Sequence, residues 1–156
     1  NAAGQKVSND DLVVENPKIT NLQVKLLTEN IISPDQDISF EISYDVNEDI
    51  ETYIAFSITD IDRGIWIYND NSLDNKTSGS GRKTLTYKCS LAHLNDIKLK
   101  LQVSIRDNDD QMIAFADSAN SPVILLNRTD IEDDDKSAKD SATGMVQRNG
   151  KWEIKE

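Results

Sequence analysis

From Lys18 onward apolar and polar residues alternate with period two: Leu22, Val24 and Leu26 in a first run, then Ile38, Phe40, Ile42, Tyr44 and Val46 in a second. Successive side chains of a strand point to opposite faces, so each run sets one face on a core and the other in water. Ser33-Pro34-Asp35-Gln36-Asp37 separates the two with turn chemistry, and Val46-Asn47-Glu48-Asp49 closes the second. A third strand is expected over 51–59, with Ile54, Phe56 and Ile58 on one face. The turn Asp60-Ile61-Asp62-Arg63-Gly64 and a short strand over 65–68 complete a hairpin. The stretch 69–81, rich in Asn, Asp, Ser and Gly, reads as a loop long enough to be functional or mobile.

Strands resume with Leu85, Tyr87 and Cys89, then Leu99, Leu101, Val103 and Ile105, then Met112, Ala114 and Ala116, and end with Val123 and Leu125. About eight short strands with turn residues between them, and almost no helical period, predict an all-β, two-sheet antiparallel sandwich. Only 90–96 suggests a helical turn. Four segments follow: a polar linker over 1–17, a sandwich over 18–128, an acidic tether over 129–144 and a terminal strand or small hairpin over 145–156 around Asn149-Gly150. The tether is long enough for that last strand to pair with its own domain or with a neighbour's.

Composition narrows the partners. The chain has 156 residues, within the range of one domain with a real core, and a formal net charge of -11. Such a charge repels nucleic-acid backbones and anionic lipid surfaces. Cys89 is the one cysteine, so no intrachain disulfide can form, and a reducing compartment, the cytoplasm, is expected. No stretch reaches the roughly 18 apolar residues of a membrane helix. A chain that starts at Asn1 without a signal pattern reads as a fragment of something longer.

Catalytic and metal signals are weak. His93 has no Ser or Cys setting that suggests an activated nucleophile. Asp107, Asp109 and Asp110 imitate the start of a calcium loop, but Met112 stands where Gly is required and no Glu closes it, so a strand-connecting turn is expected. Gly79-Ser80-Gly81-Arg82-Lys83-Thr84 lacks the first Gly of a phosphate loop. The triplets Asn75-Lys76-Thr77 and Asn127-Arg128-Thr129 matter as glycosylation acceptors only in a secreted chain. A hydrolase would need two carboxylates facing each other about 5 to 9.5 Å apart, a pairing that sequence does not place. No cofactor or metal is expected.

The aromatic pattern is more telling. In Ile65-Trp66-Ile67-Tyr68 the isoleucines share one face, so Trp66 and Tyr68 project together from the other, with Asn69, Asp70 and Asn71 next in line. Flat rings beside amides and carboxylates suit the apolar C–H faces and outward hydroxyls of sugars. Alternation equally allows Trp66 to fill the core while the isoleucines meet a neighbouring loop.

The stretch Ile54-Ala55-Phe56-Ser57-Ile58-Thr59-Asp60, its Gly-closed turn, the strand 65–68 and the Asn-containing loop 69–72 resemble the carboxyl-terminal domain of Wzt-type ATPases. The turn and strand over 34–46, and the ending Gly144-Met145-Val146 with Trp152, fit the same pattern. The turn at 60–64 is longer than the family's usual Asp-Gly, and Asn95-Asp96-Ile97 replaces a Gly-Tyr entry. The resemblance implies an immunoglobulin-like or jelly-roll sandwich of about eight to ten strands. It implies that the domain grips O-antigen polysaccharide and hands it to an ABC exporter at the inner face of the inner membrane. ATP hydrolysis would belong to a separate ATPase domain, beside a transmembrane subunit, and a homodimer could exchange final strands. The expected site is one sheet face carrying Trp66, Tyr68, Asn69, Asn71 and Arg106, binding a neutral glycan without altering it. The alternative is an immunoglobulin-like spacer or adhesin module of a secreted surface protein.

Overall fold

The computed structural model describes residues 16–117 and 121–155. The amino-terminal segment read as a linker therefore lies, except for its last two residues, outside the described part. Among the described residues ten strands follow in order: β1 (Ile19–Leu26), β2 (Ile31–Ile32), β3 (Asp37–Val46), β4 (Glu51–Asp60), β5 (Ile65–Asn71), β6 (Thr77–Ser78), β7 (Gly81–Ser90), β8 (Ile97–Arg106), β9 (Met112–Ala116) and β10 (Val123–Leu126). A short helix, α1 (Lys136–Ser141), comes last.

Two sheets form the expected sandwich. One has three strands in the order β1-β3-β7, and the other has seven, with β2-β10-β8-β4-β5 as its path and β6 and β9 added to β4 and β8. All pairs are antiparallel except β10 with β2. The alternation decides which face is which. Ile38, Phe40, Ile42, Tyr44 and Val46 of β3 meet Ile54, Phe56 and Ile58 of β4 and Leu99, Leu101, Val103 and Ile105 of β8 in one buried core.

Three places depart from the sequence pattern. The segment 69–81 is ordered: β5 runs on to Asn71, a 3-10 turn occupies Leu73–Asn75, and β6 pairs with the start of β4. Its anchors are distant in sequence. The Ser72 hydroxyl accepts from Ile54 N at 2.8 Å, and the hydroxyls of Thr77, Thr52 and Tyr44 form one cluster. Within 129–144, Asp135 caps α1 by accepting from Ala138 N. Past Gly144 the expected hairpin does not form among the described residues: Val146 makes a single antiparallel bridge to Leu94, and Trp152 is 101% exposed. Neither Trp152 nor Ile154 finds an apolar surface to fold against, so nothing closes the Asn149-Gly150 turn.

Asn95 holds that terminal segment. It is fully buried. Its side-chain amide donates to the Gly144 carbonyl at 2.7 Å, its side-chain oxygen accepts from Arg128 Nη1 at 2.8 Å, and its backbone N–H donates to Met145 O. Asn95→Ala is expected to cost about 1–3 kcal/mol through the orphaned Gly144 carbonyl and the Arg128 Nη1 donor. Hydrogen exchange should quicken at the Gln147 amide, which bonds His93 O. Unchanged exchange there would show that Met145 packing alone fastens the segment.

Candidate ligand-binding face

The strands β4 and β8 lie at the middle of the larger sheet, and their outward residues make the floor of its outer face. Register places these residues in rows. Trp66 of β5, Thr59 and Lys100 form the first, Asn69, Ser57 and Gln102 the second, Asn71, Ala55, Ser104 and Phe115 the third, and Tyr53, Arg106 and Met112 the fourth. The floor is small and polar. Thr59 and Ser57 both donate to Gln102 Oε1, at 3.0 and 3.4 Å, while Ser104 donates to Ala55 O and accepts from Arg106 Nε. These bonds satisfy hydroxyls that the neighbouring side chains shield from water.

Trp66 stands out of this floor, 70% exposed. It does not fill the core. The bulge that puts it there separates it from Tyr68: Thr59 pairs with Trp66 and Ile58 with Tyr68, so one residue of β4 is matched by two of β5. The extra residue reverses the alternation across Ile67. Tyr68 therefore points inward, where its ring stacks on Phe56 with centroids 6.1 Å apart and its hydroxyl lies 2.6 Å from that of Tyr87. The expected joint projection of Trp66 and Tyr68 is thus corrected.

Asn69, Asn71 and Arg106 do share the outer face with Trp66. Distance divides them: Arg106 lies six positions along β8 from Lys100, the residue in register with Trp66, or about 20 Å. One sugar ring cannot touch both. Lys100, Gln102 and Thr59 are nearer to the indole than Arg106 is, and only β4–β8 pairing reveals it; their sole mark in the sequence is the polar half of the alternation. At the far end Tyr53 donates to Asp110 Oδ1 at 2.8 Å. Burial, and then that bond, push the Tyr53 phenol up from its usual value, against the opposing charge of Arg106. The aspartates at 107–110 serve the β8–β9 turn, since Asp107 Oδ1 accepts from the backbone of Asp109 and Gln111. Among the described residues no group of three or more His, Cys, Asp and Glu is placed to hold a metal ion.

No family model matches the sequence, and no curated protein matches it either. Solved structures do. The crystal structure of the C-terminal domain of Wzt superposes with a TM-score of 0.61 at 11% identity, covering 90% of this chain and 86% of that one. The fold is similar to that of the Wzt domain. Weaker likenesses are to the CARDB domain of a Pyrococcus furiosus protein in complex with di-metal ions (TM-score 0.45, 10% identity, 73% of this chain and 99% of that one) and to Bacteroides uniformis beta-glucuronidase 2 (0.44, 10%, 62% and 12%). The likeness to the Wzt domain shows a common sandwich and extends over both sheets.

Proposed function

We propose that this chain is a non-catalytic module that recognises O-antigen polysaccharide and delivers it to an ABC exporter for passage across the inner membrane. One observation carries the reading: on a Wzt-like sandwich, the exposed indole of Trp66 shares the outer face of the larger sheet with the polar groups of Asn69, Gln102 and Lys100. A sugar stacks its C–H face on the ring and offers hydroxyls to the amides and the ammonium. Asn71 and Arg106, further along, would meet later residues of the same chain. The net charge of -11 favours a neutral glycan.

In this reading the protein works at the cytoplasmic face of the inner membrane, with an ATPase domain and a transmembrane subunit as partners. Two copies joined through the terminal segment, where Trp152 and Ile154 are exposed, would raise a weak single-site affinity by avidity on a long polymer.

Trp66→Ala is expected to weaken retention on immobilised O-antigen polysaccharide about tenfold, the loss of one stacked ring worth about 1.4 kcal/mol. Its thermal unfolding should match that of the parent, because the indole is outside the core. Equal retention by both proteins would overturn the reading.

A further inference from the structure

The side of the sandwich bounded by the edge strands β5 and β7 holds a cleft of about 440 Å³ between the sheets. Ile54, Phe56 and Leu85 make its floor, and Asp70, Asp74, Asn75, Thr86 and Tyr87 line it above. Its size falls in the lower half of the usual range for small-molecule sites. Asp70 and Tyr87 are held in place: the Tyr87 hydroxyl donates to Asp70 Oδ2, Asn71 N donates to Asp70 Oδ1 at 2.7 Å, and the Tyr68 hydroxyl completes the chain. Burial, with those bonds to Asp70 and Tyr68, raises the Tyr87 phenol above its ordinary value. The side chains of Asp74 and Asn75, by contrast, have no hydrogen-bond partner among the described residues.

Among the described residues no lysine or arginine lines the cleft, so a phosphate or a uronate would meet Asp70 and Asp74 without a counter-charge from them. An apolar, aromatic floor under an unpaired carboxylate and an unpaired amide fits a neutral polyol. We infer that the cleft is a second saccharide subsite, taking one neutral hexose unit of the glycan that Trp66 engages. For its ligand class the inference rests on the proposed function. Geometry connects the two sites: Trp66 and Asn69 face outward while Asp70 faces the cleft, so a polymer crossing the edge strand β5 meets both.

Amide chemical-shift mapping with D-glucose, D-galactose and D-mannose, each raised to about 100 mM, tests it at the millimolar affinity expected of one ring. The amides of 70–75 and 85–87 should move saturably with at least one hexose, in the parent and in Trp66→Ala alike. The double variant Asp74→Ala/Asn75→Ala, which touches only exposed side chains, should bind about tenfold more weakly and keep its other resonances. No saturable shift there with any of the three hexoses, or an undiminished one in the double variant, overturns the subsite. So does tighter binding of D-glucuronate. A response confined to the Trp66 and Asn69 row removes the cleft and leaves the proposed function standing, and a response confined to the cleft keeps the subsite and removes Trp66 as its neighbour on the glycan.

Discussion

Phe56→Ala should destabilise the protein by about 3–5 kcal/mol, the range for removing a buried phenylalanine and leaving a cavity behind. Phe56 is the centre of an aromatic cluster that ties one sheet to the other. Its ring meets Phe40 of β3 edge-on at 5.2 Å, Tyr87 of β7 at 4.7 Å and Tyr68 of β5 at 6.1 Å. Each such pair adds about 0.5–1.5 kcal/mol beyond the apolar area it buries. The ring also floors the β5–β7 cleft, so truncation opens the core to water from that side. Urea unfolding followed by far-ultraviolet circular dichroism measures the loss as a fall in midpoint. Phe56→Leu, which keeps much of the volume, should lose less than half as much. A loss below about 1 kcal/mol for the alanine variant would show that the cluster does not join the sheets.

Asp60→Ala is expected to cost about 2–3 kcal/mol at neutral pH, with the difference from the parent closing in acid. The Asp60 side chain is 1% exposed at the end of β4. Its Oδ1 accepts from Arg63 N at 3.0 Å and its Oδ2 from Arg63 Nη1 at 2.6 Å. The Asp60 carbonyl accepts from Gly64 N, whose φ of 68° suits a residue without a Cβ. Burial alone would push the carboxyl up, but the backbone and side-chain bonds from Arg63 outweigh it and hold it below the usual 3.8. A depressed value means that the stabilisation is complete above the unfolded carboxyl's titration and is lost as pH falls through the folded one. Arg63 remains 43% exposed, so the variant strands no buried cation. Urea midpoints taken from pH 7 downward should therefore run apart above about pH 5, begin to close at the unfolded value and meet only below the folded one. Asp60→Asn, which keeps an acceptor for Arg63 N, should remove the pH dependence at a smaller cost. Parallel curves for parent and alanine variant down to the acid limit would rule out the Asp60–Arg63 pair as the source.

The eight longer strands were readable from alternation because burial on one face is a local property: Ile38 to Val46 state their own inward side whatever they pair with. The two short strands were not. Ile31–Ile32 and Thr77–Ser78 are two residues each, too brief for a period, and exist because β10 and β4 offer them partners. The loop 69–81 looked unstructured for the same reason, since its anchors on Ile54, Thr52 and Tyr44 lie some 18 to 33 positions away.

The candidate face divides along that line. Alternation placed Trp66 on a short strand beside a turn and left Asn69 and Asn71 in the loop after it, and the chain's own pattern set Arg106 on the polar side of β8. Tertiary structure decided the rest. A bulge at Ile67, set by how β5 registers on β4, turned Tyr68 inward and left Trp66 outward, and β4–β8 pairing brought Gln102 and Lys100 into the rows of Asn69 and Trp66. Hydrophobic period reports which way a side chain faces when a strand is regular. Register, bulges and the cleft between two sheet edges arise from pairing between distant segments, and no single stretch of residues contains both members of a pair.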